Sequence, residues 1–298
     1  MASKKERMTV YAYRLVPHHK KKTAALSDLL DNISRLPLEK RARFVARTEV
    51  RLEDVAKQPD GTYLMDFVLF RFGHGPGKAS RKKPIEGFPL GKDDAFGEET
   101  AVLYDPSLNH LLVQYNHFGV RAGRIAAFLS AIDNVAENNY DLELRFDENI
   151  EKKLAKQKIF RKISFKAATL PINRADRNAG KSLTGVLAAG KSFSGEEIEV
   201  TITAQKNKPS DGLAGGKVAE AYNWVRQRLN ADAESVTHFD VTGKEDVDAR
   251  QETLHLLGHK LRQEFSDLSL GPDRRVPRKE RWDALLRARN GWKRLLKS

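Results

Sequence analysis

Apolar residues recur along the 298-residue chain in two rhythms. A period of two marks strands, and a period near 3.6 marks amphipathic helices. Residues 8–16 alternate, with Val10, Ala12 and Leu15 set against Tyr11, Tyr13 and Arg14, and predict a strand. A basic connection at 18–22 leads to a helix over 23–35, with Leu26, Leu29, Leu30 and Ile33 on one face. Strand text follows at 43–52 and 62–72, separated by the turn signal Pro59-Asp60-Gly61. Residues 73–97 read as a long Gly/Pro/Lys loop, a length that usually accompanies function. Strands at 99–104 and 110–115 form a hairpin around residues 105–109, and a helix over 121–137 carries Ile125, Phe128, Leu129 and Ile132.

Beyond Asn138-Asn139 the elements shorten and become more basic. Strand 141–146, helix 148–157 and strand 158–168 precede an apolar helical stretch at 182–189 and a strand at 196–203. A Pro/Gly-rich connection at 209–216 opens helix 217–230, followed by strands at 235–241, 252–257 and 260–270, the second of which also fits a helix, and a helix over 277–297. The irregular alternation predicts an α+β fold with mixed or antiparallel sheets and packed helices. Three segments are expected: an N-terminal domain over 1–139 with its basic loop, a second domain over 140–271, and a basic C-terminal helix over 272–298.

Hydrophobic residues make up 40% of the chain, enough for one large core or two ordinary ones. The absence of cysteine excludes disulfides, thiolate zinc ligands and a thiol nucleophile. No apolar run reaches the length of a membrane span. The N-terminal text MASKKER lacks the apolar core of a signal peptide, so a soluble, cytoplasmic protein is expected.

Net charge is +13, and its placement is more telling than its size. Residues 71–92 carry +5, residues 152–166 carry +7 and residues 274–297 carry +8. These 61 residues therefore hold +20, and the remaining 237 hold −7. Segregated positive charge is the electrostatic footprint of a nucleic-acid binder. The candidate phosphate contacts are Lys78, Arg81, Lys82 and Lys83 in the loop, Lys158, Arg161 and Lys162 in the second domain, and Arg274, Arg275, Lys279, Arg287, Lys293 and Arg294 in the tail. Gly73, Gly75 and Gly77 would let the loop backbone approach a ligand closely. In the C-terminal helix, Trp282, Leu285, Leu286, Trp292 and Leu296 are expected to anchor one sector while the neighbouring sector presents charge. A basic amphipathic helix also fits a membrane surface or a protein partner.

Three other patterns carry less. Gly185 to Ser192 spells GxxxxGK[ST], but polar residues precede it and a strand follows, where a phosphate loop needs a buried strand before and a helix after. A helix capped by Gly190 is the better reading. His255 and His259 are spaced i, i+4 without the HExxH context of a zinc helix. Asp93, Asp94, Glu98 and Glu99 offer carboxylates for a metal-dependent nuclease, the alternative function, but without a lysine at a supporting offset. No catalytic residue, metal or cofactor is expected.

Between residues 78 and 132 the order of motifs resembles RexA-type phage-exclusion proteins. The resemblance rests on Lys78-Ala79-Ser80, Asp93-Asp94, Phe96-Gly97, Ala101 to Tyr104, the run Gln114 to Gly119, and the helix carrying Phe128-Leu129. It implies a sensor or adaptor in antiphage defence. Such a protein would bind double-stranded DNA with little sequence preference, form a homodimer and act with a partner effector that is often membrane-bound.

Overall fold

The computed structural model describes residues 5–17, 25–133, 140–169, 176, 181–205 and 211–297. The basic connection expected at 18–22 and the far end of the helix expected over 121–137 lie outside them. The strands are β1 (Lys5–Pro17), β2 (Ala42–Val45), β3 (Thr48–Lys57), β4 (Tyr63–Arg71), β5 (Phe96–Asp105), β6 (His110–Tyr115), β7 (Tyr140–Leu144), β8 (Ile159–Ala168), β9 (Glu197–Thr203), β10 (Val236–Lys244), β11 (Glu252–His255) and β12 (Arg262–Ser269). The helices are α1 (Leu26–Ser34), α2 (Ala122–Asp133), α3 (Glu148–Lys156), α4 (Lys181–Ser192), α5 (Gly215–Ala231) and α6 (Arg278–Trp292). They build an α+β fold with two antiparallel sheets. One has eight strands in the order β12-β1-β6-β5-β4-β3-β2, with β7 also paired to β1; the other has four, in the order β11-β10-β8-β9.

The chain divides into two compact units. The first holds residues 1–10, 15–141 and 263–291; the second holds 11–14, 142–262 and 292–298. The segment 272–298, set apart by its charge, therefore contributes most of α6 to the first unit.

Strand β4 is the spine of the first unit. Its residues Tyr63 to Leu69 are all buried, because both faces of the sheet are covered here. On one face Phe67 meets Phe128 of α2 edge-on, with ring centroids 5.4 Å apart. The text at 43–52 is not one strand, as expected, but the hairpin β2–β3. It turns at Ala46 and Arg47, both left-handed with φ of 47° and 64°. No Gly, Asn or Asp announces this turn, which is why the pattern concealed it. The turn at Pro59-Asp60-Gly61 forms as read, with Gly61 at φ 84°.

In the second unit α5 packs on the four-stranded sheet. Trp224 lies 5.2 Å from Phe165, and Tyr222 lies 6.1 Å from Phe239. Arg228 of α5 is fully buried. It donates to Asp176 at 2.6 Å and to the Ala168 carbonyl at 2.9 Å, and the Trp224 indole donates to the same carboxylate at 3.0 Å. The pairing meets the condition under which a buried charge is tolerated.

Two expected elements end differently. The strand expected at 252–257 is β11 followed by a short 3₁₀ turn, Leu256–His259. Gly190 does not cap α4; the helix runs on to Ser192. A Cβ at Gly190 would lie 2.3 Å from Ile198 Cγ2, so glycine is needed there for the close approach of α4 to β9.

Candidate nucleic-acid interface

The loop between β4 and β5, residues 72–95, is fastened at its base and open at its tip. Lys78 and Glu86 exchange backbone hydrogen bonds of 2.7 and 3.0 Å, which tie residues 79–85 into a small closed loop. Phe88 packs edge-on against Phe96, with centroids 6.1 Å apart. The sequence predicts that Gly75 and Gly77 admit a ligand to the backbone; they serve the loop's internal packing instead. A Cβ at Gly75 would fall within the Phe96 ring, and one at Gly77 would lie 2.6 Å from Ile85. Of Gly73, Gly75 and Gly77, Gly73 alone faces open space.

The tip carries Arg81, Lys82 and Lys83, with Lys78 at its base. All four are exposed, and among the described residues none has a carboxylate partner. The single acid between Lys78 and Lys92, Glu86, is held by its backbone in the Lys78 bridge. Beside the loop, Arg71 donates to Glu98 at 3.1 Å and lies 5.5 Å from the centroid of the Phe118 ring.

Helix α6 is built differently. Its inward sector carries Arg281, Ala284, Leu285 and Ala288, and arginine, not only apolar side chains, faces the sheet. Leu285, Trp292 and Leu296 are buried as expected, whereas Trp282 and Leu286 are half-buried. The reason lies in β3, β4 and β5. Asp54 and Asp66 stand directly opposite each other across β3 and β4, and Glu99 of β5 lies on the same face. Like charges so placed repel. Arg278 bridges the first two, with Nε 2.9 Å from Asp66 and Nη1 on Asp54. Arg281 donates to Glu99 at 2.9 Å, and its other terminal nitrogen lies 3.0 Å from Asp66 Oδ1, near enough for an ion pair but off the line of a hydrogen bond. Further along, Arg289 donates to Asp105 at 2.6 Å and to Asp60 at 2.8 Å. Burial pushes the Asp66 carboxyl up, while Arg281 and Arg278 pull it down.

The tail's expected contacts therefore separate into two groups. Arg275 is paired with Glu99 at 2.8 Å, and Arg287 grips Asp267 through two hydrogen bonds of 2.8 and 3.1 Å. Arg274, Lys279, Lys293 and Arg294 are exposed without a carboxylate partner among the described residues. In the second unit, Arg161 donates to the Asp211 carbonyl, whereas Lys158, just before β8, and Lys162 within it are exposed.

The remaining motifs disperse. Asp94 accepts from the Gly91 amide at 2.7 Å, Glu98 serves Arg71, and Glu99 serves Arg275 and Arg281; these carboxylates do not converge. All eight residues from Gly185 to Ser192 lie inside α4, so their amides bond along the helix and form no phosphate cradle. His259 sits in the 3₁₀ turn, away from the strand end that carries His255. His255 Nδ1 instead lies 2.9 Å from Asp240, and His238 lies 2.8 Å from Ser164, a polar row across β11, β10 and β8. The alternation of His238 and Asp240 along one strand is the only sequence signal of that row. Among the described residues no group of three or more His, Asp or Glu is placed to hold a metal ion.

Two antiparallel sheets, helices packed on them and an exposed basic loop define this as an α+β protein, and among the described residues no helix is long and apolar enough to cross a membrane. Residues 16–275 match the model of a family described as a family of unknown function, DUF6731, and the chain belongs to that family. No curated protein matches it.

Proposed function

We propose that this chain is a non-catalytic, sequence-tolerant nucleic-acid-binding protein, and that the loop at 72–95 is its principal phosphate contact. One observation carries the reading. Lys78, Arg81, Lys82 and Lys83 are grouped on one fastened loop and have no carboxylate partner among the described residues, while the arginines on the inward face of α6 are spent on acids of their own fold. Unneutralised cations on a rigid support are suited to replacing the counterions of a phosphate backbone. Base-reading elements such as a helix-turn-helix are not part of the reading, so contacts act through charge. The resemblance at 78–132 supports a cytoplasmic role as a sensor or adaptor in phage defence, acting as a homodimer with a partner effector.

The test is a salt titration of binding to two duplexes of unrelated sequence. Each phosphate neutralised adds about −0.9 to the slope of log K against log salt. Replacing Arg81, Lys82 and Lys83 together with Ala should lower affinity and make the slope shallower by about 2 to 3. Both duplexes should weaken in parallel. A flat slope in the parent protein, or a preference of ~100-fold or more for one duplex, overturns the reading. So does metal-dependent cleavage of either duplex that is lost on Asp94→Ala or Glu98→Ala.

A further inference from the structure

The four-stranded sheet of the second unit ends in an open edge. Strand β9 pairs with β8 on one side and with no strand on the other. Its ladder with β8 runs from Lys162 opposite Thr203 to Ala168 opposite Glu197 without a register shift. The Ala204 amide donates to the Arg161 carbonyl, and the Thr169 amide to the Glu196 carbonyl. Alternation between these two bonds turns the backbone groups of Ile198, Val200 and Ile202 toward β8. Those of Glu197, Glu199, Thr201 and Thr203 point outward, and among the described residues they have no hydrogen-bond partner. The side chains alternate as well. Ile198, Val200 and Ile202 share the face of Ala167, Phe165 and Ile163, and Ile202 is 47% exposed. Glu197, Glu199, Thr201 and Thr203 lie on the other face, all exposed. Proteins blunt such edges with short strands, lysine, proline or a bulge. The edge strands β2 and β11 have four residues each. Strand β9 has seven, with no lysine, proline or bulge.

A second copy of the same strand fits this edge. Set antiparallel about Val200, it puts Glu197 opposite the partner's Thr203, Ile198 opposite the partner's Ile202, and Glu199 opposite the partner's Thr201. In this register outward residues meet outward residues, so about eight backbone hydrogen bonds form. Val200 meets its own copy as a close, non-hydrogen-bonded pair, and the exposed Ile202 gains the cover of the partner's Ile198. No glutamate stands directly opposite a glutamate. Lys166 lies opposite Glu199 in the β8 ladder and pairs with Glu197 at 2.7 Å, so it offsets both acids. The like charges nearest the axis are the two Glu199 carboxylates, on a diagonal of about 7–8 Å. A slip of two residues in either direction shortens the overlap, and one of the two slips sets Glu199 against its own copy. We infer that β9 is a homodimer interface, across which the sheets of two second units join into one continuous antiparallel sheet. Of the reading above, the inference takes up only the homodimer, whose surface it names; the phosphate contacts are a separate matter.

The test is sedimentation velocity of the full chain. Paired strands this short sit at the small end of specific interfaces, so a dimer with Kd of ~1–100 μM is expected. Thr201→Pro removes an outward amide and leaves the β8 ladder intact, since edge strands accept proline where the N–H faces solvent. It should weaken the dimer at least ~10-fold with an unchanged circular dichroism spectrum. Ile202→Lys, at an exposed position, should weaken it likewise. Glu199→Thr removes the diagonal repulsion and should tighten the dimer, a gain that misfolding does not imitate. Oxidation reads the register, because the chain has no cysteine of its own. Val200→Cys meets its own copy at a Cα separation of about 4.5 Å, within disulfide reach, and should cross-link. Thr203→Cys lies about 20 Å from its copy and should not. A Thr201→Pro dimer as tight as the parent's, or equal cross-linking at both cysteines, overturns the interface and leaves a homodimer on another surface. A parent that stays monomeric up to ~200 μM overturns the interface and the homodimer together, and leaves the edge to a strand of a different protein. The salt titration on duplexes decides phosphate binding independently of either result.

Discussion

At the scale of single residues, the acidic face of the first sheet sets carboxylates side by side across β3, β4 and β5. Asp66 is wholly buried, and Arg281 beside it is 5% exposed. Removing Arg281 leaves Asp66 with Arg278 alone and Glu99 with Arg275, so the cost falls below that of a wholly uncompensated buried charge, at about 1–3 kcal/mol. Arg281→Met should therefore lower unfolding free energy by that order in urea titration, whereas Arg281→Met combined with Asp66→Leu should recover most of it. A double variant as unstable as the single one would show that the carboxylate was not the source of the loss. Arg289 carries a pH signature of its own. Burial pushes the Asp105 carboxyl up, but the Ser107 hydroxyl and Arg289 outweigh it and hold it below the ordinary value; Asp60 is held low by Thr62, aided by Arg289. Carboxyls that bind protons less tightly when folded stabilise the fold fully above their unfolded value of about 3.9, and that stabilisation is lost as pH falls through the lowered folded values. Melting curves of the parent and Arg289→Met should accordingly differ at neutral pH and converge below about pH 4. A gap that stays constant down to pH 2 would mean that Arg289 stabilises by packing.

Elements raise a different question, because here local preference and tertiary fit disagree. Glycine inside a helix costs about 1 kcal/mol relative to alanine, so Gly190→Ala should stabilise α4 taken alone. The Cβ would meet Ile198 at 2.3 Å and Thr169 Cγ2 at 3.2 Å, and overpacking of this kind costs about 1–3 kcal/mol. Net destabilisation is expected in denaturant titration; a gain would show that α4 shifts away from β9 at little cost. The β2–β3 turn has the opposite character. Ala46 and Arg47 both occupy the left-handed region, at a cost of about 1–2 kcal/mol per residue. Arg47→Gly should raise stability by about 1 kcal/mol without changing the fold, read as a higher denaturation midpoint. The turn also explains a reading that missed. Alternation alone made one strand of 43–52, since period two continues unbroken through a two-residue turn that lacks its usual residues.

For the whole molecule the decisive quantity is how its +13 is distributed between structure and surface. Arg275, Arg278, Arg281, Arg287 and Arg289 are paired with acids of the first unit. Lys293 and Arg294 are exposed and have no carboxylate partner among the described residues. Lys293→Ala with Arg294→Ala should thus make the salt slope of nucleic-acid binding shallower by up to ~1.8, while Arg287→Ala should change it by less than ~0.5. Equal effects would mean that phosphate displaces Asp267 from Arg287. Sequence alone determined the α+β class, nearly every strand and helix, the long loop and its basic tip, because these depend on periodicity, turn chemistry and local charge, which neighbours in the chain set between them. It also placed Leu285, Trp292 and Leu296 on the buried side of the last helix. It did not reveal that arginines share that side. Asp54, Asp66, Glu99 and Asp105 are separated by up to 51 residues and become one acidic face only when β3, β4 and β5 pair. Tertiary structure alone decided which cations are neutralised, because Coulomb attraction depends on distance in space, and the sequence records distance only along the chain.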